Sequence, residues 1–163
     1  MVRSNRTPSG YTLIEILTVL GIAAIVATIA WPATEDLIER AELSSAARTM
    51  VGDIRLVQRE ARVSGRTLTL IVDPGSGSYA VSRPDTHTQT RRLAPTLRFG
   101  LPDNPASDGV TFRDNTVFIA PRPGPQSSIG SISITTRRGA ARRVTVSLTG
   151  HTAITVWDGR QWN

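Results

Sequence analysis

Four arginines stand close together in the run R-R-G-A-A-R-R of residues 137–143. They are Arg137, Arg138, Arg142 and Arg143, and alternating segments on either side predict that all four project from one hairpin tip. A planar guanidinium group donates two parallel hydrogen bonds to a phosphate or carboxylate group. The cluster therefore indicates a contact for DNA, for another anion or for an acidic partner protein. A solvated hairpin without a ligand is the alternative, since no aromatic residues alternate with these arginines.

The two histidines are the next candidates for chemistry. His87 lies in a threonine-rich loop and His151 follows Gly150 in a turn, and neither belongs to a G-x-S-x-G or H-x-x-x-H pattern. The sequence has no cysteine, which excludes a disulfide framework, a thiolate zinc site and a cysteine nucleophile. We therefore expect no catalytic residues and no enzymatic activity.

Acidic and amide side chains in loops are the remaining candidates for a metal site. The segment Asp73-x-Gly75-x-Gly77 begins like a calcium loop, but Pro84 occupies the position of the closing glutamate. A second group of such side chains is explained by turn formation, and it consists of Asp103, Asn104, Asp108, Asp114 and Asn115. We expect a β-turn at Asp73, and neither a metal nor a cofactor.

The overall charge is mildly basic. The formal net charge is +6 at pH 7, and lysine is absent, so every fully charged basic side chain is arginine. Arg3 and Arg6 lie in the first ten residues, so a form without them carries 6 − 2 = +4 before its new amino terminus is counted. This charge permits contact with nucleic acid or anionic lipid without requiring it.

The N-terminal region combines a long apolar run with a single carboxylate. Residues 16–34 contain no charged side chain, whereas Glu15 stands directly before them. A helix over residues 11–34 would be roughly 35 Å long, which exceeds a hydrocarbon core of about 30 Å. Arg3 and Arg6 precede it without any acid, so the positive-inside rule keeps the first ten residues in the cytoplasm and sends the rest across.

Two simple explanations of this region are a secretory signal peptide and a plain single-span anchor. Small residues at positions 27–30 would suit a signal peptidase. Neither explanation accounts for Glu15, because an acid inside a membrane helix costs about 2.5–3.5 kcal/mol on insertion scales. A signal peptide also fails to explain why the helical pattern continues beyond the apolar run.

The segment G-Y-T-L-I-E of residues 10–15, after a short basic leader, resembles the class III signal of type IV pilins and type II secretion pseudopilins. The resemblance implies that a prepilin peptidase removes residues 1–10 by cutting between Gly10 and Tyr11, and then methylates the new N-terminus at Tyr11. Phenylalanine is the usual first residue of that family, and tyrosine retains the aromatic ring. Pro32 also stands where pilins commonly place a helix-kinking proline.

The resemblance suggests a physical role for Glu15. A lone buried carboxylate is costly, whereas a paired one is tolerated. In a helical filament, the new N-terminal ammonium of one subunit would meet the Glu15 carboxylate of its neighbour. Glu15 would then mark the correct register, because its charge is satisfied only on assembly.

The rest of the chain predicts an α+β fold. Apolar residues recur every three or four positions after Pro32, opposite a charged face that is acidic early and arginine-rich late. The helix is therefore predicted over residues 11–64, with Gly65 as its stop and a bend at Pro32. Predicted strands cover residues 66–72, 79–82, 91–99, 110–113, 116–120, 129–136, 143–148 and 152–157. The predicted organisation is a leader (1–10), a transmembrane or filament-core half-helix (11–34), an amphipathic half-helix (35–64) and an antiparallel β domain (65–163) that packs on the helix.

Among pilin-like proteins, the β-rich part resembles minor pseudopilin H of type II secretion and the related FimT/FimU minor pilins. That resemblance implies a structural subunit of a periplasmic pseudopilus, near its tip, which drives protein export. The partners implied are other pseudopilins, the prepilin peptidase and the inner membrane, with the C-terminal domain in the periplasm. The alternative is a type IV minor pilin that primes pilus assembly or binds DNA during natural transformation. The C-terminal segment of residues 158–163 is interpreted as a strand end or partner contact.

Overall fold

The computed structural model describes residues 11–82, 88–104, 106–122, 124 and 127–163, with the backbone alone for residues 29–33. The chain divides into two compact units, of which the first ends at Leu37 and the second is Ile38–Asn163. The predicted leader of residues 1–10, with Gly10, lies outside the described residues, and so does His87.

The long helix α1 (Leu13–Ser64) accounts for 52 residues. It begins after Thr12, whose Oγ1 atom accepts a hydrogen bond of 3.3 Å from the Glu15 N–H group. It ends at Ser64 and is followed by Gly65, whose φ of +67° lies in the left-handed region that glycine adopts most easily. Pro32 lies within the helix, and the bend expected there stays a prediction.

Within the described residues, eight strands follow the helix: β1 (Leu68–Asp73), β2 (Ser78–Ser82), β3 (Gln89–Arg92), β4 (Leu97–Phe99), β5 (Thr116–Ile119), β6 (Gly130–Thr136), β7 (Ala141–Val146) and β8 (Thr152–Val156). They form two four-stranded sheets with the strand orders β3-β2-β1-β5 and β4-β6-β7-β8. All pairings are antiparallel. The predicted α+β architecture, with a long N-terminal helix packed on antiparallel sheets, is confirmed.

The core of the second unit lies between the second half of α1 and the two sheets. The helix contributes Leu43, Ala47, Met50, Val51, Ile54, Val57 and Ala61. In β1 every second residue is buried (Leu68, Leu70 and Val72), whereas β6 is buried at five consecutive residues from Ile132 to Thr136. In the second half of α1 and in β1 the opposite face stays polar or exposed, so the period of the element determines which side chains are buried.

Two predicted strands are wrong in detail. Residues 91–99 do not form one strand, because β3 ends at Arg92 and β4 begins at Leu97, and these strands belong to different sheets. The hairpin predicted over residues 110–120 is also absent. Val110 forms a bridge with Ile132 of one sheet, whereas β5 pairs with β1 of the other, so the chain changes sheets here.

Two glycines close a long connection between β4 and the Val110 bridge. The N–H group of Gly100 donates to the Ser133 carbonyl at 3.1 Å, and the Ser133 N–H group donates to the Gly109 carbonyl at 2.8 Å. A Cβ atom on Gly109 would lie 2.6 Å from the nitrogen of Gly100. Both ends of the connection are therefore held by one residue of β6, and glycine is required at position 109.

Candidate functional site

The N-terminal end of α1 is the first candidate site. Glu15 lies in the first turn of the helix, where a carboxylate interacts favourably with the helix dipole. The hydrogen bond from its N–H group to Thr12 makes Thr12 the N-cap, in the T-x-x-E pattern of a capping box. This capping pattern is a second signal in the sequence beside the pilin-like one, and it was not among the predicted features.

Apolar side chains around this half of α1 are exposed within the single chain. Tyr11 is 80% exposed, and Ile16, Leu20 and Ile25 are between 50% and 64% exposed. Within the part of the chain that the structure describes, no helix is both long and apolar enough to cross a membrane.

The arginine cluster is the second candidate site, and the structure divides it. Arg137 and Arg138 lie exposed in the turn between β6 and β7, followed by Gly139 with φ +86°. Arg142 and Arg143 lie inside β7, and adjacent residues of a strand point to opposite faces of the sheet. The expectation that all four project from one tip is therefore wrong, because β7 begins at Ala141, earlier than predicted.

Arg143 is held against its own sheet. Its guanidinium carbon lies 3.9 Å from the ring centroid of Trp162, and its Nε atom donates to Ser133 Oγ at 3.3 Å. Burial lowers the pKa of Arg143, while the nearby Asp103 carboxylate acts in the opposite direction. A charged guanidinium over an aromatic face is an attractive arrangement, so Arg143 has a structural role in addition to any contact with a ligand.

The C-terminal segment forms a small hairpin that positions Trp162. Trp157 and Trp162 form a bridge, with ring centroids 5.3 Å apart. The Asp158 carboxylate accepts hydrogen bonds of 2.8 Å from the N–H groups of Arg160 and Gln161. These bonds lower the pKa of Asp158. The sequence predicts a strand end or partner contact here, and its packing on Arg143 has no signal in the sequence.

A partly buried polar network, in which Tyr79 is buried and Arg91 is exposed, connects α1 to the first sheet. The Tyr79 hydroxyl donates to Asp53 Oδ2 at 2.7 Å, and Arg91 Nε lies 2.7 Å from the same oxygen. Burial, followed by the hydrogen bond with Asp53, raises the pKa of Tyr79 above its usual range. The residues are distant in sequence and carry no motif, so no pattern in the sequence identified the network.

The candidate residues Asp73 and His151 are explained by their local hydrogen bonds. Asp73 Oδ1 accepts hydrogen bonds from the N–H groups of Gly75 and Ser76, and Oδ2 accepts one from Ser76 Oγ at 2.6 Å, which confirms the predicted turn. These bonds, the one from Ser76 Oγ above all, lower the pKa of Asp73. His151 is exposed, and its N–H group donates to Ser147 Oγ. Among the described residues, no cluster of histidine and acidic side chains could hold a metal ion.

Two family models match the sequence. The model of the type II transport protein GspH matches residues 46–150, which include most of the β-rich unit. The model of the prokaryotic N-terminal methylation motif matches residues 5–31. No curated protein sequence matches the chain.

Two solved structures share the fold. The minor pseudopilin EpsH from the type 2 secretion system of Vibrio cholerae superposes with a TM-score of 0.51 and 17% identity, over 71% of this chain and 97% of that one. The type IV minor pilin FimU of Pseudomonas aeruginosa PAO1 superposes with a TM-score of 0.52 and 12% identity, over 77% of this chain and 95% of that one. At these identities the likeness concerns the fold alone.

Proposed function

Because the chain belongs to the GspH family of type II transport proteins, we propose that it is a minor pseudopilin of a type II secretion system. Its work would be structural, as a subunit near the tip of a periplasmic pseudopilus that drives protein export. The observation that carries this proposal is the GspH model, because it matches the β-rich unit and not only the N-terminal motif. Proteins of this family are structural subunits, and the absence of catalysis in this chain is part of the proposal.

The first step proposed for the newly made protein is proteolytic processing. The methylation motif supports cleavage by a prepilin peptidase between Gly10 and Tyr11, followed by N-methylation of Tyr11. The protein would then stay in the inner membrane through the first half of α1, with the β-rich unit in the periplasm. Pro32 would bend the helix so that both halves fit the filament.

Assembly would join Glu15 to a neighbouring subunit. The carboxylate would meet the N-terminal ammonium of another pseudopilin, and the exposed apolar side chains of the first half-helix would be covered by lipid or by other subunits. Other major and minor pseudopilins are therefore the expected partners, and no cofactor is involved.

Deletion of the gene tests this function directly. We expect loss of exported enzymes from the culture medium, with twitching motility and DNA uptake unchanged, and recovery when the intact gene is returned. Loss of twitching or DNA uptake with normal export would contradict the type II assignment. Mass spectrometry of the mature N-terminus would check the processing step, since it should begin with singly methylated Tyr11.

A type IV minor pilin that binds DNA is the second candidate function. The observation in its favour is the pair of exposed arginines, Arg137 and Arg138, at the tip between β6 and β7. Phosphate contacts by arginine would give binding that weakens steeply with salt. Titration of the purified chain with duplex DNA at two salt concentrations, beside the variant R137Q/R138Q, distinguishes the two functions. Salt-sensitive binding that the variant loses would favour the pilus function.

A further inference from the structure

Two edges of the sheets are closed within the chain. At β5, the Phe118 N–H group donates to Ser128 Oγ at 2.9 Å, and the Ser128 N–H group donates to the Phe118 carbonyl at 2.8 Å. At β8, the Val156 N–H group donates to the Asn163 carbonyl at 2.7 Å. An edge strand with unpaired N–H and C=O groups is a template for pairing with another chain, and these bonds reduce that risk at β5 and β8.

The edge of β3 is open. A hydrogen bond of 2.8 Å from the Leu93 N–H group to the Gly77 carbonyl shows which residues of this strand bond to β2. Because hydrogen-bonded pairs alternate along an antiparallel ladder, Arg91 bonds to β2, whereas Thr90 and Arg92 direct their N–H and C=O groups away from it. No described residue forms a hydrogen bond with these outward backbone groups. We call the outward groups of Thr90 and Arg92 the β3 edge.

A groove lies between the β3 edge and one flank of α1. Its volume is about 480 Å³, and its helix wall carries the small side chains of Ser45, Ala46 and Thr49. Ser45 and Thr49 are exposed. Neighbouring strands of a sheet lie about 4.8 Å apart, so an added strand would lie directly beside β3, where these small side chains leave space for it.

The charges around the groove indicate the chemistry of its occupant. Arg91 pairs with Asp53 Oδ2 at 2.7 Å, and Glu42 accepts a hydrogen bond from Thr96 Oγ1. Arg92, by contrast, is exposed and forms no ion pair with any described residue. An acidic side chain opposite Arg92 on an added strand would stabilise the pairing by about 0.2–1 kcal/mol, and a basic one would oppose it. The groove therefore fits an extended segment that carries an acid.

We propose that the β3 edge binds an extended segment of a different subunit of the same filament. The segment adds a strand to the first sheet and places an acidic side chain opposite Arg92, so that main-chain hydrogen bonds hold it and the charge selects it. This inference rests on the proposed function, which supplies non-identical neighbours near the tip. It adds a contact made by the β-rich unit, separate from any contact of the N-terminal half-helix.

Amide hydrogen exchange tests whether the β3 edge is open. In the purified full-length chain in detergent micelles, the N–H groups of Thr90 and Arg92 should exchange about tenfold faster or more than the N–H group of Arg91. Arg91 is the matched control, because it lies in the same strand and bonds to β2. Equally slow exchange at all three residues would overturn the proposal, since the edge would then already be paired within the chain.

Thr90→Pro tests whether the partner binds through the backbone. Proline removes an outward N–H group and is tolerated on edge strands, whereas Thr90→Ala keeps that group and removes only the side chain. The probes are the host's other minor pseudopilins and its minor type IV pilins, each purified and titrated onto the full-length chain. We expect one probe to bind, with affinity about tenfold lower or more for Thr90→Pro and unchanged for Thr90→Ala. Binding of no probe, or equal affinity of a folded Thr90→Pro variant, would overturn the proposal.

Arg92→Glu tests the charge and decides the matter if Thr90→Pro does not fold. It should weaken binding of the same probe about fivefold, because an opposite-charge pair becomes a like-charge pair. The control Arg137→Glu makes the same change at an exposed arginine in the turn between β6 and β7 and should leave the affinity unchanged. Equal losses in both variants would show that only the overall charge matters, which would refute the contact at Arg92.

The outcome for this contact is separable from the outcome for export. Binding of a minor type IV pilin, lost in Thr90→Pro, would refute the proposed function and retain the contact. Export that requires the protein but is unchanged by Thr90→Pro would do the reverse. Association of the chain with a second copy through this edge, also lost in Thr90→Pro, would refute the choice of a different subunit.

Discussion

The two halves of α1 differ in where their apolar side chains are buried. In the first half, Ile16, Leu20 and Ile25 are at least 50% exposed within the chain. In the second half, Ile54 and Val57 are completely buried. The helix thus has one half whose apolar side chains are buried by the β-rich unit and another half whose apolar side chains are exposed within the chain. Changes in the first half should therefore affect assembly, and changes in the second half should affect folding.

Glu15→Ala should have the largest effect of the changes considered, and on assembly alone. A charge pair buried between subunits would lose one partner, so incorporation into filaments should fall about a hundredfold or more. The urea unfolding midpoint of the β-rich unit, followed by tryptophan fluorescence, should not change. Thr12→Ala is the control, because it removes the helix cap and keeps the carboxylate. Equal assembly defects in both variants would indicate that Glu15 acts through the helix end.

Ile54→Ala, unlike Glu15→Ala, should affect folding and destabilise the β-rich unit. Its side chain is fully buried against the sheets, and such truncations cost about 2–5 kcal/mol. Urea denaturation of the full chain in detergent measures the loss, with Leu20→Ala as the control in the first half. A comparable loss of stability in Leu20→Ala would mean that the first half-helix is packed on its own chain.

Asp53→Ala should weaken the attachment of α1 to the first sheet. The variant leaves the Tyr79 hydroxyl and Arg91 without their shared partner, which costs about 1–3 kcal/mol. Chemical denaturation of the full chain at neutral pH would measure this cost. An unchanged unfolding midpoint would indicate that water replaces the carboxylate without loss.

Tyr79 gives the same network a dependence on pH. Its pKa is raised in the folded state from an ordinary value of 10.0. Its contribution to stability is therefore complete below pH 10, and it is lost as the pH rises further, because the unfolded tyrosine ionises first. Tyr79→Phe should remove this alkaline component, and unfolding midpoints of both proteins between pH 8 and pH 11 would reveal it. Identical pH profiles would show that Tyr79 does not cause the alkaline loss.

Trp162→Ala should have the smallest effect. It removes the aromatic face over Arg143, a contact of about 0.5–1 kcal/mol at exposed sites, together with the contact to Trp157. Thermal unfolding of the full chain should show a small decrease, which Trp162→Phe should partly reverse. A complete recovery with leucine instead would show that ring packing, and not the cation, is responsible.

The sequence correctly predicted features that depend on the local periodicity of hydrophobic residues. It did not predict features that depend on residues far apart in the chain. The helix end at Gly65 and the strands β1, β2, β6 and β8 followed from hydrophobic period and turn residues. The strand predicted over residues 91–99 was wrong because nothing local marks a change of sheet. The four-arginine tip was wrong for a related reason. The extent of β7 is set by its pairing with β6 and β8, and not by the arginines themselves.

The candidate site shows the same division. Gly10, Tyr11 and Glu15 form a contiguous motif, so the sequence identified them, and their roles stay predictions. The Asp53–Tyr79–Arg91 network and the contact of Trp162 with Arg143 join residues that are far apart in sequence. Such contacts depend on the tertiary fold, and propensity carries no information about them.

The hydrogen bonds that join Gly100 and Gly109 to Ser133 have a practical consequence for protein engineering. Because both ends of this connection are already fixed to β6, a longer insert between them changes only the entropy of a closed loop, and each doubling of its length costs about 0.6 kcal/mol. An epitope or a fluorescent-dye acceptor placed there would leave both sheets intact. The protein could then be followed in living cells through the attached label.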